Sequence, residues 1–345
     1  MKLGMLVGYS GAEVKLPIEQ ILEAERLGFD SVWTAEAYGS DAVTPAAWIL
    51  AQTRKIKAGT AIMQIPARQP SMVAMTAMTL DQLSGGRFMI GVGPSGPQVA
   101  EGWYGMPYPK PVTRTREYVE VIRKILARED ALNYQGECFH IPNTGPGTTG
   151  LGKPLKSILH GNPKIPIYTA AITHAGVRLA AEVADGFFPV WMNPERFDIF
   201  KPAIEEGFAK APGKSLKNFD VAPFINCVMG DDLEACRNQV KQNLALYIGG
   251  MGARDKNFYN DYAIQLGYPD AAKQIQDLFL GGQKREAVAA VPDQLVDDVA
   301  LVGPAARIKD RLGAWKAAHG QGHVGTMIVG VRTPAAARLL AEELL

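Results

Sequence analysis

The sequence predicts a single domain of the α/β class, a (β/α)8 or TIM barrel that spans residues 1–345. Eight short apolar segments recur along the chain, and each is followed by a segment with apolar residues at helical spacing. The short segments are apolar on both faces, which is typical of parallel strands covered by helices. A length of 345 residues suits one large barrel, and eight strand–helix units favour a closed barrel over an open sheet.

The predicted strands are short, mostly apolar runs that end in glycine, proline or polar turn residues. They cover residues 3–8, 31–34, 56–62, 87–92, 165–169, 186–189, 221–229 and 324–329. In a barrel of parallel strands, functional residues follow the carboxyl ends of the strands. The turn after each strand is therefore where a site is expected.

The first two helices are predicted from apolar periodicity and from the residues at their ends. Residues 17–27 repeat apolar side chains at helical spacing, and Gly28 follows as a C-cap. Thr44 and Pro45 open the second helix as an N-cap and a first-turn proline.

The third helix, residues 71–83, ends before Gly85, and its Met72, Met75 and Met78 are expected in the core. The remaining helices are predicted from the same signals. They cover residues 114–127, 175–184, 231–247, 304–319 and 334–344, and one more begins at Asn193-Pro194.

Two segments interrupt the alternation, at residues 133–164 and 249–290. The strand–helix order resumes after each, so both are predicted to be insertions within one domain. Long insertions in compact domains are usually functional, and we expect these two to form a lid over the substrate. The aromatic residues of the second insertion indicate an apolar substrate or a subunit contact; they are Phe258, Tyr259, Tyr262 and Tyr268.

Composition disfavours several classes of function. Lys and Arg number 36 against 35 Asp and Glu, a net charge of +1, so no overall field attracts nucleic acid or an anionic membrane. The three cysteines form no CxxC pair, and no metal site is expected. No segment has the pattern of a signal peptide or a membrane span, so a cytoplasmic protein with a small-molecule substrate is expected.

The turns after the second and third predicted strands carry the first candidate residues. Glu36 and Tyr38 follow the second strand, where a carboxylate would face the mouth of a barrel, although a capping or solvated glutamate fits the same position. Residues 59–63, at the end of the third strand, include several small side chains. Such residues allow either the close approach of a flat ligand or tight packing of strands.

Residues 91–96, in the turn after the fourth strand, read GVGPSG and match the GxGxxG fingerprint of dinucleotide-binding proteins. That fingerprint requires its third glycine to open a helix, and Pro97 with an aromatic, glycine-rich loop follows instead. A Rossmann site is therefore disfavoured. The loop either offers the Ser95 hydroxyl and backbone N–H groups to a ligand or is a structural turn.

Residues 170–173 follow the fifth strand, and Thr173 is placed to cap the next helix. The first N–H groups of a helix attract anions, so this turn is either a phosphate site or a plain N-cap. The motifs of other chemistries are missing, because the sequence has no HExxH, no GxSxG and no Walker loop.

Motifs spread along the chain point to one family. Residues 79–87 read TLDQLSGGR, 91–98 read GVGPSGPQ, 107–111 read PYPKP, 114–118 read RTREY and 180–186 read AAEVADG. Together they resemble the bacterial luciferase-like family, specifically its coenzyme F420-dependent branch.

The resemblance implies an oxidoreductase that moves a hydride between coenzyme F420 and a small organic substrate. It implies a TIM barrel with the deazaflavin ring at the carboxyl ends of the strands, a cis peptide bond at Ala61–Ile62 behind the ring, and a homodimer. The cofactor-binding residues that it implies are Glu36, Ala61, Ile62, Met63, Pro94, Ser95, Gly96, Ala170, Ala171, Ile172 and Thr173.

One departure from the family pattern concerns proton transfer. Some relatives carry a histidine directly after the acidic residue, whereas this chain has Ala37, so Glu36 and Tyr38 are the candidate catalytic residues. An alternative function is an FMN-dependent monooxygenase of the same fold, served by a separate reductase. Another, from a different class, is a non-catalytic flavin- or deazaflavin-binding barrel.

Overall fold

The computed structural model describes residues 1–345 and confirms the α/β class, because its main sheet has eleven strands that pair only in parallel. The strands are β1 Lys2–Gly8, β2 Ser31–Thr34, β3 Lys57–Thr60, β4 Met63–Gln64, β5 Phe88–Gly93, β6 Tyr134–Gln135, β7 His140–Ile141, β8 Ile167–Ala170, β9 Gly186–Phe188, β10 Asp220–Val221, β11 Phe224–Met229, β12 Ala300–Gly303 and β13 Thr326–Val331.

The main sheet is strongly curled. Its order is β10-β9-β8-β5-β3-β2-β1-β13-β11-β12, β4 adds to β5, and β6 and β7 form a separate hairpin. Strand β10 pairs with β9, and β11 pairs with β13. Only Ala222 and Pro223 separate β10 from β11. An isolated parallel bridge joins Val190 to Phe224. The segment formed by β10 and β11 therefore pairs with β9 at one end of the sheet and with β13 near the other.

Helices follow the strands as the alternation predicts. They are α1 Ile18–Leu27, α2 Val43–Gln52, α3 Pro70–Ser84, α4 Pro97–Gly102, α5 Pro111–Ala127, α6 His174–Val183, α7 Lys201–Phe208, α8 Leu233–Gly250, α9 Phe258–Gln265, α10 Pro269–Leu280, α11 Lys284–Ala289, α12 Asp293–Val299, α13 Ala305–Gly320 and α14 Pro334–Leu344. None of them combines the length and apolar character that a membrane crossing needs.

Two hydrophobic clusters lie on opposite faces of the sheet. The larger cluster packs the helices onto the sheet, and α3 contributes Val73, Ala74, Ala77 and Met78 to it. The smaller cluster contains buried residues from inside the curl, which are Trp33, Ala61, Met89, Tyr168, Phe188, Ala222 and Ile328.

Two of the methionines expected in the core are exposed. Met78 is buried, but Met72 and Met75 face outward. The reason is helical geometry, because the buried face of α3 follows the i, i+3, i+4 spacing that starts at Val73. Residues 72 and 75 fall on the opposite side.

Several predicted boundaries differ from the structure. The predicted strand 56–62 is interrupted after Thr60, and the predicted strand 221–229 is interrupted at Ala222 and Pro223. The helix predicted from Asn193 begins only at Lys201, after a single 3-10 turn. Strand β12 was not predicted, because its four apolar residues directly follow the apolar positions of α12.

The first insertion lies on the helical layer. The carboxylate of Glu117 in α5 accepts hydrogen bonds from the backbone N–H groups of Glu137, Cys138 and Phe139 at 2.7, 2.8 and 3.0 Å. The Gln82 side chain in α3 donates to the carbonyl of His160 at 2.7 Å. These contacts attach residues 137–139 and His160 to the outer helices, so the expectation that the first insertion forms a lid is wrong for these residues.

The second insertion folds into α9, α10 and α11, which pack against α8. The side-chain amide of Asn257 donates to the carbonyls of Tyr247 and Ile248 at 3.1 and 2.9 Å and fixes the start of α9 on the end of α8. This segment places Tyr259 against Tyr247 of α8 and against Trp191, which follows β9.

Candidate active site

Glu36 follows β2 and is nearly buried, with 7% of its surface exposed. Its Oε1 accepts a hydrogen bond from the backbone N–H of Gln64 at 2.7 Å, and its Oε2 accepts one from that of Ala42 at 2.9 Å. The guanidinium of Arg68 forms an ion pair with the same carboxylate. Both oxygens therefore have partners within the chain, and Glu36 ties the turn after β2 to the turn after β4.

Gln64 and Arg68 complete this connection. The Gln64 amide Nε2 donates to the carbonyls of Glu36 and Ala37 at 2.9 and 3.2 Å, while its Oε1 is buried without a partner. Burial alone would lower the pKa of Arg68, but its hydrogen bond to Glu36 and the charges of Glu36 and Asp41 raise that pKa above its usual value. The guanidinium thus stays charged beside Glu36.

The turn between β3 and β4 contains the cis peptide bond that the resemblance implied, between Ala61 and Ile62. Met63 follows it in β4 and is buried, and β4 pairs with β5. Ala61 belongs to the cluster inside the curl, and Ile62 packs against that cluster from its edge.

Gly93 shows that the turns after β3, β5 and β8 meet. A side-chain carbon at position 93 would lie 2.9 Å from Cδ1 of Ile62 and 3.4 Å from Cβ of Ala170. The glycine therefore lets these three turns approach one another more closely than any larger residue would allow.

The loop after β5 holds Pro94, Ser95 and Gly96 in half-buried positions. Ser95 has a left-handed backbone with φ of 62°, and the Tyr108 hydroxyl donates to the Ser95 carbonyl at 2.7 Å. Burial raises the pKa of Tyr108 to about 12, so this donor stays protonated near neutral pH. The short helix α4 begins at Pro97 with Gly96 as its N-cap, so the expectation that no helix opens after the third glycine of GVGPSG is wrong, because proline is well tolerated in the first turn of a helix.

The turn after β8 contains Ala170, Ala171, Ile172 and Thr173, all half-buried. Thr173 caps α6 as predicted, since its Oγ1 accepts a hydrogen bond from the backbone N–H of Gly176 at 3.2 Å. The hydroxyl of Thr169, one residue before this turn, is buried without a partner.

An aromatic stack fills the curl of the sheet. Tyr168 and Phe188 are stacked with ring centroids 5.1 Å apart, and Phe188 stacks on Phe224 at 5.0 Å. The Trp33 ring meets Tyr168 and Phe188 edge-on at 5.3 and 5.1 Å. The centre of the curl is therefore packed, and ligand space lies at the strand ends and not along the axis.

Four tyrosines lie at the carboxyl ends of strands or in the helices beyond them, and we call Tyr9, Tyr38, Tyr247 and Tyr259 the phenol cluster. Tyr9 and Tyr38 follow β1 and β2 and are 53% and 67% exposed. The Tyr247 and Tyr259 rings meet edge-on at 4.8 Å. Burial raises the pKa of Tyr247, and the Tyr259 phenol, the Tyr9 phenol with its hydrogen bond to Tyr247, and the Tyr38 phenol raise it further, so the four are neighbours.

Two tryptophans border the phenol cluster. The Trp191 ring lies 5.8 Å from that of Tyr247 and 5.4 Å from that of Tyr259, and the Trp103 ring, 63% exposed, lies 6.5 Å from that of Tyr38.

Of these aromatic residues, the sequence singled out Tyr38 as a catalytic candidate and Tyr259 only as part of an aromatic segment. The others follow no motif, although Tyr9 does directly follow β1, a position that the barrel rule flags. The structure contains no group of three or more His, Cys, Asp or Glu side chains arranged to hold a metal ion.

Comparison with known proteins gives consistent results. A family model described as luciferase-like monooxygenase matches residues 4–321. A protein of Mycobacterium tuberculosis assigned to the coenzyme F420-dependent oxidoreductases is 44% identical over 322 residues, 92% of this chain and 92% of that protein.

Two solved structures share the fold. A coenzyme F420-dependent tetrahydromethanopterin reductase from Methanopyrus kandleri has a TM-score of 0.77 at 23% identity and covers 99% of this chain and 97% of that one. An F420-dependent secondary alcohol dehydrogenase in complex with an F420–acetone adduct has a TM-score of 0.72 at 20% identity, with 99% and 98% covered.

Proposed function

This chain belongs to the luciferase-like monooxygenase family and is an oxidoreductase, and from that premise we propose that it depends on coenzyme F420 and reduces or oxidises a small organic substrate. The observation that carries the proposal is the meeting of the turns after β3, β5 and β8 at Gly93. Those turns contain most of the residues that the resemblance assigns to the cofactor. The 44% identity to the mycobacterial protein favours F420 over FMN.

The residues at these turns fit such a group. Gln64 Oε1 and Thr169 Oγ1 are buried polar atoms without partners, and they lie on the two sides of the Gly93 contact, in β4 and β8. A buried polar atom without a partner is costly, so a ligand that supplies a hydrogen bond there would be stabilised. Ala61, Ile62 and Met63 would back the ring, and Pro94, Ser95 and Gly96 with Ala170, Ala171, Ile172 and Thr173 would hold the side chain and phosphate.

When bound, the deazaflavin accepts or donates the hydride, and the protein positions its reactive carbon against the substrate. Glu36 and Tyr38 take different parts in this arrangement. The Glu36 carboxylate is occupied by Arg68 and two backbone donors, so we assign it to positioning the turns. The exposed Tyr38 hydroxyl is the group that can reach a substrate and move a proton.

We also propose that the curled sheet is a closed barrel of eight strands within one domain. In this description β3 with β4 counts as one strand and β10 with β11 as another, because the members of each pair are separated by only two residues. The remaining strands of the barrel are β1, β2, β5, β8, β9 and β13.

A homodimer is the proposed assembly. Trp48 on α2 and Met72 and Met75 on α3 are exposed large apolar side chains on two helices that contact each other. Clustered exposed apolar side chains mark interaction surfaces. Light scattering should give the mass of a dimer for the wild type and a lower mass for Met75→Glu; a monomeric wild type would exclude this assembly.

The function is tested by titrating the purified protein with F420 and, separately, with FMN while following cofactor fluorescence. Micromolar binding of F420, with turnover on a panel of enones, imines and alcohols, is the expected result. Binding of FMN alone would favour a monooxygenase served by a separate reductase. Binding of F420 without turnover on any substrate would favour a carrier.

A further inference from the structure

The hydroxyls of the phenol cluster differ from those of every other tyrosine in the chain. Of the 11 tyrosines, seven donate a hydrogen bond to a carbonyl or carboxylate of the protein. These are Tyr104, Tyr108, Tyr118, Tyr134, Tyr168, Tyr262 and Tyr268. The remaining four are the members of the phenol cluster, whose hydroxyls have no partner outside their own set.

The hydroxyls of the phenol cluster bond only within the cluster, as that of Tyr247 does with Tyr9, and those of Tyr38 and Tyr259 are left to donate to a ligand. Tyr247 and Tyr259 are half-buried and rest on Trp191, while Tyr9 and Tyr38 are exposed. Burial holds the pKa values of Tyr247 and Tyr259 above the usual value, so both hydroxyls carry their proton at neutral pH. A phenol in this state offers one donor and an apolar ring face.

The ion pair beside Tyr38 is complete within the protein, and Arg114, which forms no ion pair, lines the cavity at Tyr108 and Pro94 on the proposed cofactor loop. Glu36 and Arg68, in the turns next to Tyr38, neutralise each other. The side chains that contact Tyr247 and Tyr259 are uncharged aromatic rings, including that of Trp191. A charged substrate would lose its hydration here without gaining an ionic partner. An uncharged substrate with a hydrogen-bond acceptor would lose little and would stack on the rings.

The phenol cluster is joined to the proposed cofactor turns. Tyr108 donates to the Ser95 carbonyl after β5, and it is close enough to the Tyr259 phenol for the latter's charge to contribute to the raised pKa of Tyr108. On the other side, Tyr38 lies two residues from Glu36, which contacts the turn after β4. A molecule resting on the cluster would therefore lie beside the turns proposed to hold the cofactor.

We propose that the phenol cluster is the substrate site, and that it takes a flat, uncharged carbonyl compound such as a cyclic ketone or enone. The ring faces bind the flat body of the molecule, the Tyr259 hydroxyl donates to its carbonyl oxygen, and the hydrogen-bonded Tyr247–Tyr9 pair lies beside that oxygen as a second donor. This inference rests on the proposed F420-dependent function and names the class of its substrate.

The test is calorimetric titration of the protein saturated with oxidised F420, using three ligands of one ring size. 1-Indanone carries the carbonyl, indane lacks it, and indene-3-carboxylate is an anion. We expect indanone to bind about tenfold more tightly than indane, as one or two neutral hydrogen bonds predict, and the anion to bind weakest. The double variant Tyr247→Phe/Tyr259→Phe should lose the preference for indanone and keep the affinity for indane.

Tyr268→Phe is the matched control, because it removes a hydroxyl of the same insertion that is bonded to Asp298 at 2.7 Å. It should leave all three affinities unchanged. Equal binding of indanone and indane, tightest binding of the carboxylate, or an unaltered preference in the double variant would each overturn the inference. F420 affinity is measured in the same samples, so absent cofactor binding would refute the proposed function, while normal cofactor binding with no preference would refute the substrate class alone.

Discussion

The two sides of the candidate site differ in how their side chains are satisfied. On the side of the proposed cofactor turns, the charged and hydroxyl groups of Glu36, Arg68 and Tyr108 are bonded to the protein, and only Gln64 Oε1 and Thr169 Oγ1 are buried without a partner. On the opposite side, the hydroxyls of the phenol cluster have no partner outside their set. A site for a fixed cofactor benefits from preorganised turns, whereas a substrate site needs groups that are free to bond a molecule that comes and goes.

The largest expected effect concerns the preorganised side. Glu36→Gln leaves the partly buried Arg68 with only the more distant Asp41, at 3.8 Å, as a counterion, and we expect a loss of about 3 kcal/mol in the free energy of unfolding. Urea denaturation measures it. The matched control is Glu137→Gln, which breaks the exposed ion pair with Lys110 and should cost less than about 1 kcal/mol. Unchanged stability with abolished turnover would instead make Glu36 a proton-transfer residue.

The next effect tests whether the three turns must touch. A valine at position 93 would press on Ile62 and Ala170 and push the turns apart. Gly93→Val should therefore weaken F420 binding about 100-fold, which corresponds to the free-energy cost of adding a larger side chain to a packed site. Gly102→Ala, at the end of the helix α4 that follows this loop, is the control, because its added carbon would meet no atom within 4 Å. Equal F420 affinities in fluorescence titrations of the two variants would remove the Gly93 contact from the site.

A smaller effect is expected at Ser95. Its φ of 62° is unfavourable for β-branched side chains, so Ser95→Ile should distort the loop and weaken F420 binding about tenfold, while Ser95→Gly should bind as the wild type does. Circular dichroism is expected to be the same for both variants. If Ser95→Ile binds F420 normally, the loop after β5 does not contact the cofactor.

The same contrast explains what the sequence could predict. The strand–helix alternation and the turns after β2, β3, β5 and β8 follow local rules, because each candidate residue stands directly after a strand. The cis bond at Ala61–Ile62 was accessible only through the family resemblance. Strand β12 was hidden, since four apolar residues after a helix have no periodicity of their own.

The phenol cluster lay beyond sequence reasoning for a different reason. Its members come from the ends of β1, β2 and α8 and from the second insertion, and only the packing of α9 on α8 brings Tyr259 to Tyr247. Periodicity and turn rules describe neighbours along the chain. They do not say which distant aromatic residues will face one another, nor which hydroxyls will have no partner outside their own cluster.

The smallest expected effect is the loss of folding stability at high pH, when the phenol of Tyr108 ionises. The pKa of Tyr108 is raised to about 12 in the folded protein, above the value near 10 expected when unfolded, so its contribution to stability is complete below pH 10 and is lost as the pH rises toward 12. Tyr108→Phe should therefore reduce the drop in unfolding free energy between pH 9 and pH 11.5 by roughly 1 kcal/mol, a value discounted because the ring is half exposed. Chemical denaturation at the two pH values measures the difference. An identical drop in the variant would mean that the Tyr108 phenol is not buried against the loop after β5, and the ordered cofactor side of the comparison would then fail at this residue.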